Sequence, residues 1–282
     1  MSVLYLITII LGVSFQNVVK KPFTQKTKGK GLFFFGLMVS FTAMLFFIVT
    51  AKGFEWNNKL IIYSICFAAA YTTSSVGTLY AVATGPLSLT SLIVSYSLIL
   101  PTVYGLVFLN DPISLKLIIG IILLIISLFL INNKEKSEII ISFKWLIYVT
   151  LAFFGNGMAS VLQKMQQAAF DGAYKNEFMI VSLGIVALFM GIFALKKERK
   201  EIKTYIKAGW HLAIACGIVN GITNLFVMIL TNIMPVSIMF PMISAGGIII
   251  TYIVSRFFYK EKLSRLQFIG FVMGIASVIF LS

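Results

Sequence analysis

The polar side chains that could bind a small molecule lie within long apolar stretches of this sequence. Asn220 and Asn224 are four residues apart, so a helix projects both amides from one face. Tyr71 and Ser75 have the same spacing, and each precedes one of the asparagines by 149 residues. Because an unpaired amide is costly inside a bilayer, we expect these side chains to face a bundle interior or a watered cavity. The pattern predicts an uncharged binding site, and it fits equally well with hydrogen bonds that only hold helices together.

Other amides and aromatic side chains extend this predicted site. The predicted substrate-binding residues are Gln16, Asn17, Tyr71, Ser75, Tyr96, Asn156, Asn220 and Asn224. All nine Asp and Glu residues fall in or next to predicted loops, whereas a proton-coupled carrier usually keeps a carboxylate or His within the membrane. Aromatic faces can hold a cation without a counter-charge, and they also accept aromatic or aliphatic solutes.

The sequence offers little for enzymatic chemistry. It has one histidine, His211, and it lacks the HExxH, CxxC, Walker and GxSxG patterns, so we predict no catalytic residue, metal site or cofactor. Cys66 and Cys216 lie 150 residues apart in apolar segments. We expect both to be buried small hydrophobes rather than disulfide partners or metal ligands.

The composition is that of a membrane protein. Hydrophobic residues make up 59% of the 282 residues and charged residues 11%, whereas about a quarter of an ordinary soluble domain is charged. A helix needs about 20 apolar residues to cross a hydrocarbon core of about 30 Å. Ten segments meet this requirement: 2–19, 31–51, 60–83, 86–108, 114–132, 143–163, 178–195, 209–231, 235–258 and 265–282.

The net charge of +14 is spread over loops, which argues against a nucleic-acid partner. Of the 23 Lys and Arg residues, only five lie outside the loops that follow odd-numbered spans: Lys52, Lys59, Lys116, Lys164 and Lys175. The first loop alone is expected to hold Lys20, Lys21, Lys26, Lys28 and Lys30. Cytoplasmic loops are rich in Lys and Arg. We therefore expect a multi-pass protein of the cell membrane with cytoplasmic odd-numbered loops and both termini outside.

The two halves of the chain repeat each other. At an offset of 149, the residues Pro86, Ser88, Ser95 and Thr102 recur as Pro235, Ser237, Ser244 and Thr251. At an offset of 150, the residues Ser114, Gly120 and Ser127 recur as Ser264, Gly270 and Ser277. This internal repeat predicts two five-span units, 1–133 and 143–282, joined by a loop at 134–142. An odd number of spans in each half inverts the second unit relative to the first.

Small hydroxyl residues line one face in each half. The rows predict a helix seam and consist of Ser88, Ser95 and Thr102 in the first half and Ser237, Ser244 and Thr251 in the second. Such rows let helices approach closely, and the same face could also line a central path. The motif Gly270-x-x-x-Gly274 likewise indicates a close helix contact, either within one chain or in a dimer.

The last span of each half carries a recognisable pattern. An acidic residue and a serine precede a glycine in each half: Asp111, Ser114 and Gly120 in the first, and Glu261, Ser264 and Gly270 in the second. This pattern resembles that of the drug/metabolite transporter superfamily, specifically its ten-span EamA type. The resemblance covers the whole chain. It implies a bundle in which spans 1, 3, 4, 6, 8 and 9 surround a central path. Many ten-span relatives have cytoplasmic termini, whereas the charges here place both termini outside.

These observations predict an all-α polytopic membrane protein with ten transmembrane helices arranged as two inverted five-helix repeats. Its expected function is secondary transport of a metabolite, amino acid or organic cation by alternating access, with efflux slightly favoured over uptake. The alternatives are a passive channel, although the sequence shows no filter, and a membrane scaffold without transport. The expected partners are a small-molecule substrate and the lipid bilayer, and the chain acts as a monomer or homodimer.

Overall fold

The computed structural model describes residues 2–51, 53–84, 90, 93–94, 96–132, 142–259 and 265–281. Within these residues ten α-helices have defined bounds, residues 90, 93–94 and 96 are also helical, and no β-strand is present. The helices are α1 (Ser2–Lys26), α2 (Leu32–Thr50), α3 (Leu60–Thr84), α4 (Ile99–Phe108), α5 (Leu115–Asn132), α6 (Phe143–Ala169), α7 (Lys175–Lys197), α8 (Ile202–Leu230), α9 (Val236–Tyr259) and α10 (Arg265–Leu281). A 3₁₀ turn, Arg199–Glu201, connects α7 to α8.

Six helical segments are long and apolar enough to cross a membrane. They are Ser2–Lys26, Leu32–Thr50, Leu60–Ala81, Phe143–Ala169, Lys175–Lys197 and Arg199–Leu230. Four shorter apolar stretches lie at predicted spans 4, 5, 9 and 10, namely Ile99–Phe108, Leu115–Ser127, Val236–Gly247 and Phe268–Leu281. The chain is therefore a multi-pass helical membrane protein. Ten complete spans stay a prediction, because part of span 4 lies outside the described residues.

Large apolar side chains cover the outer faces of these helices. Val49 on α2 is 83% exposed and Leu188 on α7 is 70% exposed. Both helices bury their opposite faces, since α2 packs against α7 and α8. Exposed apolar side chains of this kind fit a hydrocarbon solvent.

The helices group into two compact units. Unit 1 comprises Met1–Thr72 and Leu162–Asn232, and unit 2 comprises Thr73–Val161 and Ile233–Ser282. Each unit thus draws on both halves of the chain, and α3 and α6 each contribute to both units. The predicted repeats at 1–133 and 143–282 concern sequence similarity rather than contacts, and they stay a prediction.

Helix α1 is longer than the predicted first span. It continues past residue 19 to Lys26, so Lys20 lies in the helix and not in the expected loop. The extension is held by Phe23, which is buried in a cluster with Phe34 and Phe35 of α2. Burial of an aromatic side chain of this size outweighs the weak helical tendency of a charged, proline-containing segment.

The expectation for the two cysteines is half wrong. Both are free thiols, and Cys216 is buried, but Cys66 is exposed. Cys66 lies one turn after Ile62, which is 65% exposed on the same face of α3. An apolar sequence without a clear stripe does not indicate which helix face contacts lipid.

In unit 2, α5 and α10 pack together through two reciprocal hydrogen bonds. Ser127 Oγ donates to the Gly270 carbonyl at 2.6 Å, and Ser277 Oγ donates to the Gly120 carbonyl at 2.8 Å. The serines are equivalent in the repeat, and so are the glycines. A Cβ added at Gly274 would lie 2.8 Å from Ser127 Oγ, so this glycine also contacts α5. The Gly270-x-x-x-Gly274 motif therefore serves a helix contact within the chain.

We expect Ser127→Ala and Ser277→Ala to destabilise the protein by similar amounts, about 0.6–1.7 kcal/mol each, because each change removes one buried interhelical bond. Ser182→Ala is the matched control, since Ser182 Oγ is buried and finds no hydrogen-bond partner in the described part of the chain. Thermal unfolding in detergent measures all three variants. A loss of stability in Ser182→Ala as large as in the other two would contradict the prediction.

Asp111 and Ser114, which belong to the transporter-like pattern of the first half, cap helices. Asp111 Oδ2 accepts a bond from the Ser237 N–H at 2.9 Å, at the start of α9. Ser114 Oγ accepts a bond from the Leu117 N–H at 3.1 Å, at the start of α5. Oxygen acceptors at a helix start satisfy N–H groups that have no partner within the helix. Glu261 and Ser264 lie outside the described residues.

Candidate functional site

Buried amides from three helices meet in unit 1. The Asn220 Nδ2 group donates to Gln16 Oε1 at 3.0 Å, which joins α8 to α1. The Asn224 Nδ2 group donates to Asn220 Oδ1 at 3.0 Å, and the Gln163 Nε2 group of α6 donates to Asn224 Oδ1 at 2.8 Å. Gln163, Asn224, Asn220 and Gln16 therefore form a continuous hydrogen-bonded series, which we call the amide chain.

The amide chain ends on backbone and aromatic groups. Gln16 Nε2 donates to the Gly12 carbonyl at 3.3 Å, and the Tyr71 hydroxyl is hydrogen-bonded to the Asn220 side chain. The structure thus brings together four of the predicted site residues: Gln16, Tyr71, Asn220 and Asn224. Their partner Gln163 was not predicted. The sequence signal that could have found it is the polar run of Gln163, Lys164, Gln166 and Gln167 at the end of an apolar helix.

Most side chains of the amide chain are buried, and some are partly exposed. Gln16, Gln163 and Asn220 are 7%, 5% and 8% exposed, whereas Asn224 and Tyr71 are half-buried. An amide carries two N–H donors and a carbonyl acceptor, and the bonds within the chain use one donor of Gln163 and one of Asn220. The buried amides are paired at low cost and retain capacity for a further polar partner.

Small residues let α1 and α8 bring these amides together. A Cβ added at Gly12 would lie 3.3 Å from Val219 Cγ1, and it would clash with the hydroxyl of Thr223. Gly12 and Gln16 are one turn apart on α1, as Asn220 and Asn224 are on α8. The same faces that bring the helices into contact therefore carry the amides.

A cation lies beside the amide chain. Lys20 follows Gln16 by one turn of α1 and interacts electrostatically with Cys216 of α8. Cys216 Sγ in turn lies 3.9 Å from the Gln16 carbonyl oxygen. The sequence-based prediction missed Lys20, because the predicted first span ended at residue 19. Lys20 itself is exposed, one helical turn from the buried Gln16.

A second series of amides closes the connection between α6 and α7. Asn232 Nδ2 donates to Gln167 Oε1 at 2.8 Å, and Gln167 Nε2 donates to Gln166 Oε1 at 2.5 Å. Gln166 Nε2 then donates to the Ala173 carbonyl at 3.0 Å. Gln166 and Gln167 are completely buried. These bonds hold the turn after α6, which gives the second series a structural role.

Asn156 of α6 contacts Ser97, where the helix of the fourth predicted span is interrupted, and both residues lie in unit 2. Its Nδ2 group donates to Ser97 Oγ at 2.6 Å. Ser97 and Leu98 form a turn before α4, in which Ser97 accepts a bond from the Leu100 N–H at 3.0 Å. Pro101 has no N–H, so it cannot make the helical bond to the carbonyl four residues earlier, which is that of Ser97. The break in the helix at Ser97 therefore follows from the position of Pro101. The contact between Ser97 and Asn156 cannot be predicted from Pro101.

The other predicted binding residues lie apart from these groups or outside the description. Tyr96 donates its hydroxyl to the Ile125 carbonyl at 3.0 Å and packs in a cluster with Leu124 and Ala245. Ser75 is half-buried in α3, one turn after Tyr71. The side chain of Asn17 is not among those described. The binding roles of these residues stay predictions.

Three residues of the predicted seam are buried in unit 2, where α4 packs against α9. Thr102, Ser237 and Ser244 are 2%, 0% and 9% exposed. Thr102 Oγ1 donates to the Leu98 carbonyl at 2.8 Å, within its own segment. Ser88, Ser95 and the side chain of Thr251 lie outside the described residues. The described part of the seam is thus buried, and its role stays a prediction.

These helices and their buried polar groups define a multi-pass α-helical membrane protein with an internal hydrogen-bonding site. Residues 143–282 match the model of the EamA-like transporter family. The second half of the chain therefore carries an EamA-like transporter domain, which confirms the resemblance to the drug/metabolite transporter superfamily. The family is one of transporters. Among the described residues, His, Cys, Asp and Glu side chains do not group as metal ligands.

Two similar proteins add to this picture. An uncharacterized protein of Haemophilus influenzae is 23% identical over 185 residues, which cover 64% of this chain and 62% of that protein. The match thus spans less than two thirds of that relative. One protein crystal structure is similar over 99% of this chain and 95% of its own chain, with a TM-score of 0.80 and 12% identity. At this identity the similarity shows the fold alone.

Proposed function

We propose that the protein is a secondary transporter of small organic solutes in the cell membrane. The amide chain is the observation that carries the proposal. It places hydrogen-bonding groups from α1, α6 and α8 within one unit of a membrane protein, next to half-buried Asn224 and Tyr71. Polar groups within a membrane are costly and commonly mark solute paths. Membership of a transporter family supports the same function.

The transport cycle we propose is alternating access between two inverted five-span repeats, 1–133 and 143–282. The reciprocal bonds of Ser127 with Gly270 and of Ser277 with Gly120 support this symmetry. Two contacts that exchange equivalent residues are the pattern expected around a two-fold axis. The charge distribution supports cytoplasmic odd-numbered loops and both termini outside.

The proposed substrate is a metabolite or amino acid rather than an organic cation. Lys20, which is exposed one turn after Gln16 on α1, repels a positively charged solute and attracts a carboxylate. The amides supply neutral donors and acceptors for the rest of the molecule. Efflux is the proposed direction of transport. The monomer is the proposed functional unit, because the glycine motif of α10 contacts α5 of the same chain.

A two-stage experiment tests the proposal. Purified protein is first screened by thermal shift against amino acids, organic acids, quaternary amines, nucleosides and sugars, because a ligand of the folded form raises its stability. The ligand that is found is then used for counterflow in proteoliposomes. Saturable counterflow is the expected result. Ion conduction without saturation would indicate a channel, and binding without flux would indicate a scaffold or sensor.

A further inference from the structure

A cavity of about 670 Å³ lies at the end of α7, where the chain turns into α8. Five of the side chains that line it are cations, contributed by the turn before α2 and by the end of α7 and the 3₁₀ turn: Lys30, Lys196, Lys197, Arg199 and Lys200. All five are exposed. We call this space the basic cavity. It lies within unit 1 and is formed by residues that the transport proposal does not use.

The carboxylates at the basic cavity are engaged with other groups. Glu198 accepts bonds from the Phe33 N–H at 3.2 Å and the Phe34 N–H at 2.8 Å, at the start of α2. Burial raises the pKa of the Glu198 carboxyl, although these bonds act in the opposite direction. Glu201 accepts a hydrogen bond from the Tyr205 hydroxyl. The cavity therefore has five cations and two carboxylates that are already hydrogen-bonded.

Aromatic rings fix one of the cations at the cavity wall. Lys197 Nζ lies 5.7 Å from the centre of the Phe33 ring and 5.8 Å from that of Phe193. The two rings are stacked on each other with centroids 5.3 Å apart. A cation–π contact holds the charge of Lys197 near these rings. The positive lining is thus partly preorganised.

An apolar strip leads along α7 to the basic cavity. Leu188, Ile192 and Leu195 share one helix face and are 70%, 51% and 60% exposed, and Leu195 also lines the cavity. The surface is therefore apolar along the helix and basic at its end. A free anion would use only the basic part, whereas a lipid with an anionic headgroup uses both.

We propose that the basic cavity binds the phosphate headgroup of an anionic phospholipid, whose acyl chain lies along Leu188, Ile192 and Leu195. Clustered Lys and Arg side chains suit a phosphate group with several oxygen acceptors. Cations next to a membrane surface also attract anionic lipids. The site does not depend on the transported solute.

The test is a lipid titration of the protein in dodecyl maltoside, with thermal unfolding as the readout. Dioleoylphosphatidylglycerol is expected to stabilise the protein saturably, while dioleoylphosphatidylcholine and inorganic phosphate are expected to have little effect. The variant Lys196→Gln/Lys200→Gln should require about 30-fold more phosphatidylglycerol for half-saturation, because each cation near an anionic lipid contributes about fivefold.

The matched control is Lys203→Gln/Lys207→Gln, which removes the same charge from exposed lysines of α8 outside the cavity. We expect its half-saturation point to change less than about twofold. Since all four lysines are exposed, both variants should fold. Lys200→Gln alone offers a milder comparison, with an expected shift of about fivefold in the half-saturation point. Equal shifts in both pairs, no shift in the cavity pair, equal stabilisation by phosphatidylcholine, or full stabilisation by inorganic phosphate would each overturn the proposal.

Discussion

Asn224→Leu is expected to lower substrate counterflow at least about tenfold per folded molecule. Asn224 is an inner member of the amide chain, where it donates to Asn220 and accepts from Gln163. Leucine has a similar volume but leaves both neighbours without this partner. The change also removes a polar partner of the bound solute, and leaving a buried polar group of the solute unsatisfied weakens binding by about 1–3 kcal/mol, where about 1.4 kcal/mol corresponds to tenfold. Counterflow of the identified ligand, normalised to the folded protein in the liposomes, is the measurement.

Gln167→Leu separates a binding role of Asn224 from a purely structural one. Gln167 is completely buried in the second amide series of the same unit, so the change removes comparable hydrogen bonds. We expect Gln167→Leu to lower the melting temperature while counterflow per folded molecule stays within about twofold of wild type. Asn224→Leu should instead lose counterflow and ligand-induced stabilisation together. Normal flux in Asn224→Leu and in Asn220→Ala would rule out this part of α8 as the binding site.

The kind of acceptor distinguishes the amide chain from three polar contacts of unit 2. In unit 2, Ser127, Ser277 and Tyr96 bond to backbone carbonyls, whose positions are fixed by the helices. In unit 1, Asn220 and Gln163 bond to other side-chain amides, which can rotate and exchange partners. A solute can insert between side-chain amides with a smaller loss of hydrogen bonds, because these amides can rotate toward it. This difference favours the amide chain over the seam as the place where a solute binds.

Local spacing predicted part of the amide chain. The four-residue period of Asn220 and Asn224 identified one face of α8, and the repeat offset identified Tyr71, which is bonded to Asn220. Gln163 could not be found in this way, because its role depends on which helices are neighbours. Lys20 was missed because a boundary set by hydropathy ends a span at the first charged residues, whereas Phe23 continues the helix by packing.

The helix break at Ser97 shows the same division between local and long-range information. Pro101 withholds a donor from the carbonyl four residues earlier, so its position indicates the break. The bond from Asn156 and the close approach of Gly157 involve a helix that is distant in the sequence. The exposed Cys66 is a similar case, since its neighbours Ile65 and Phe67 are apolar and do not indicate which face of α3 is buried there.

Glycine contacts between helices are the last feature with a large expected effect. Gly77 of α3 faces α6 in unit 2, and a Cβ built on it would lie 2.8 Å from the Ala152 nitrogen and 2.9 Å from the Tyr148 carbonyl oxygen. Both atoms belong to the backbone and cannot move without shifting α6. The helices therefore meet at a distance that only glycine permits.

Gly77→Ala is accordingly expected to destabilise the protein by about 1–3 kcal/mol, as overpacking does, and to lower its melting temperature in detergent by several degrees. Gly191→Ala is the matched control, because its Cβ would lie 3.5 Å from Leu37 Cδ1, an ordinary contact with a flexible side chain. That change should be neutral or stabilising by up to about 1 kcal/mol, since alanine favours a helix. Equal melting temperatures for the two variants would show that α3 and α6 can separate at Gly77 without cost.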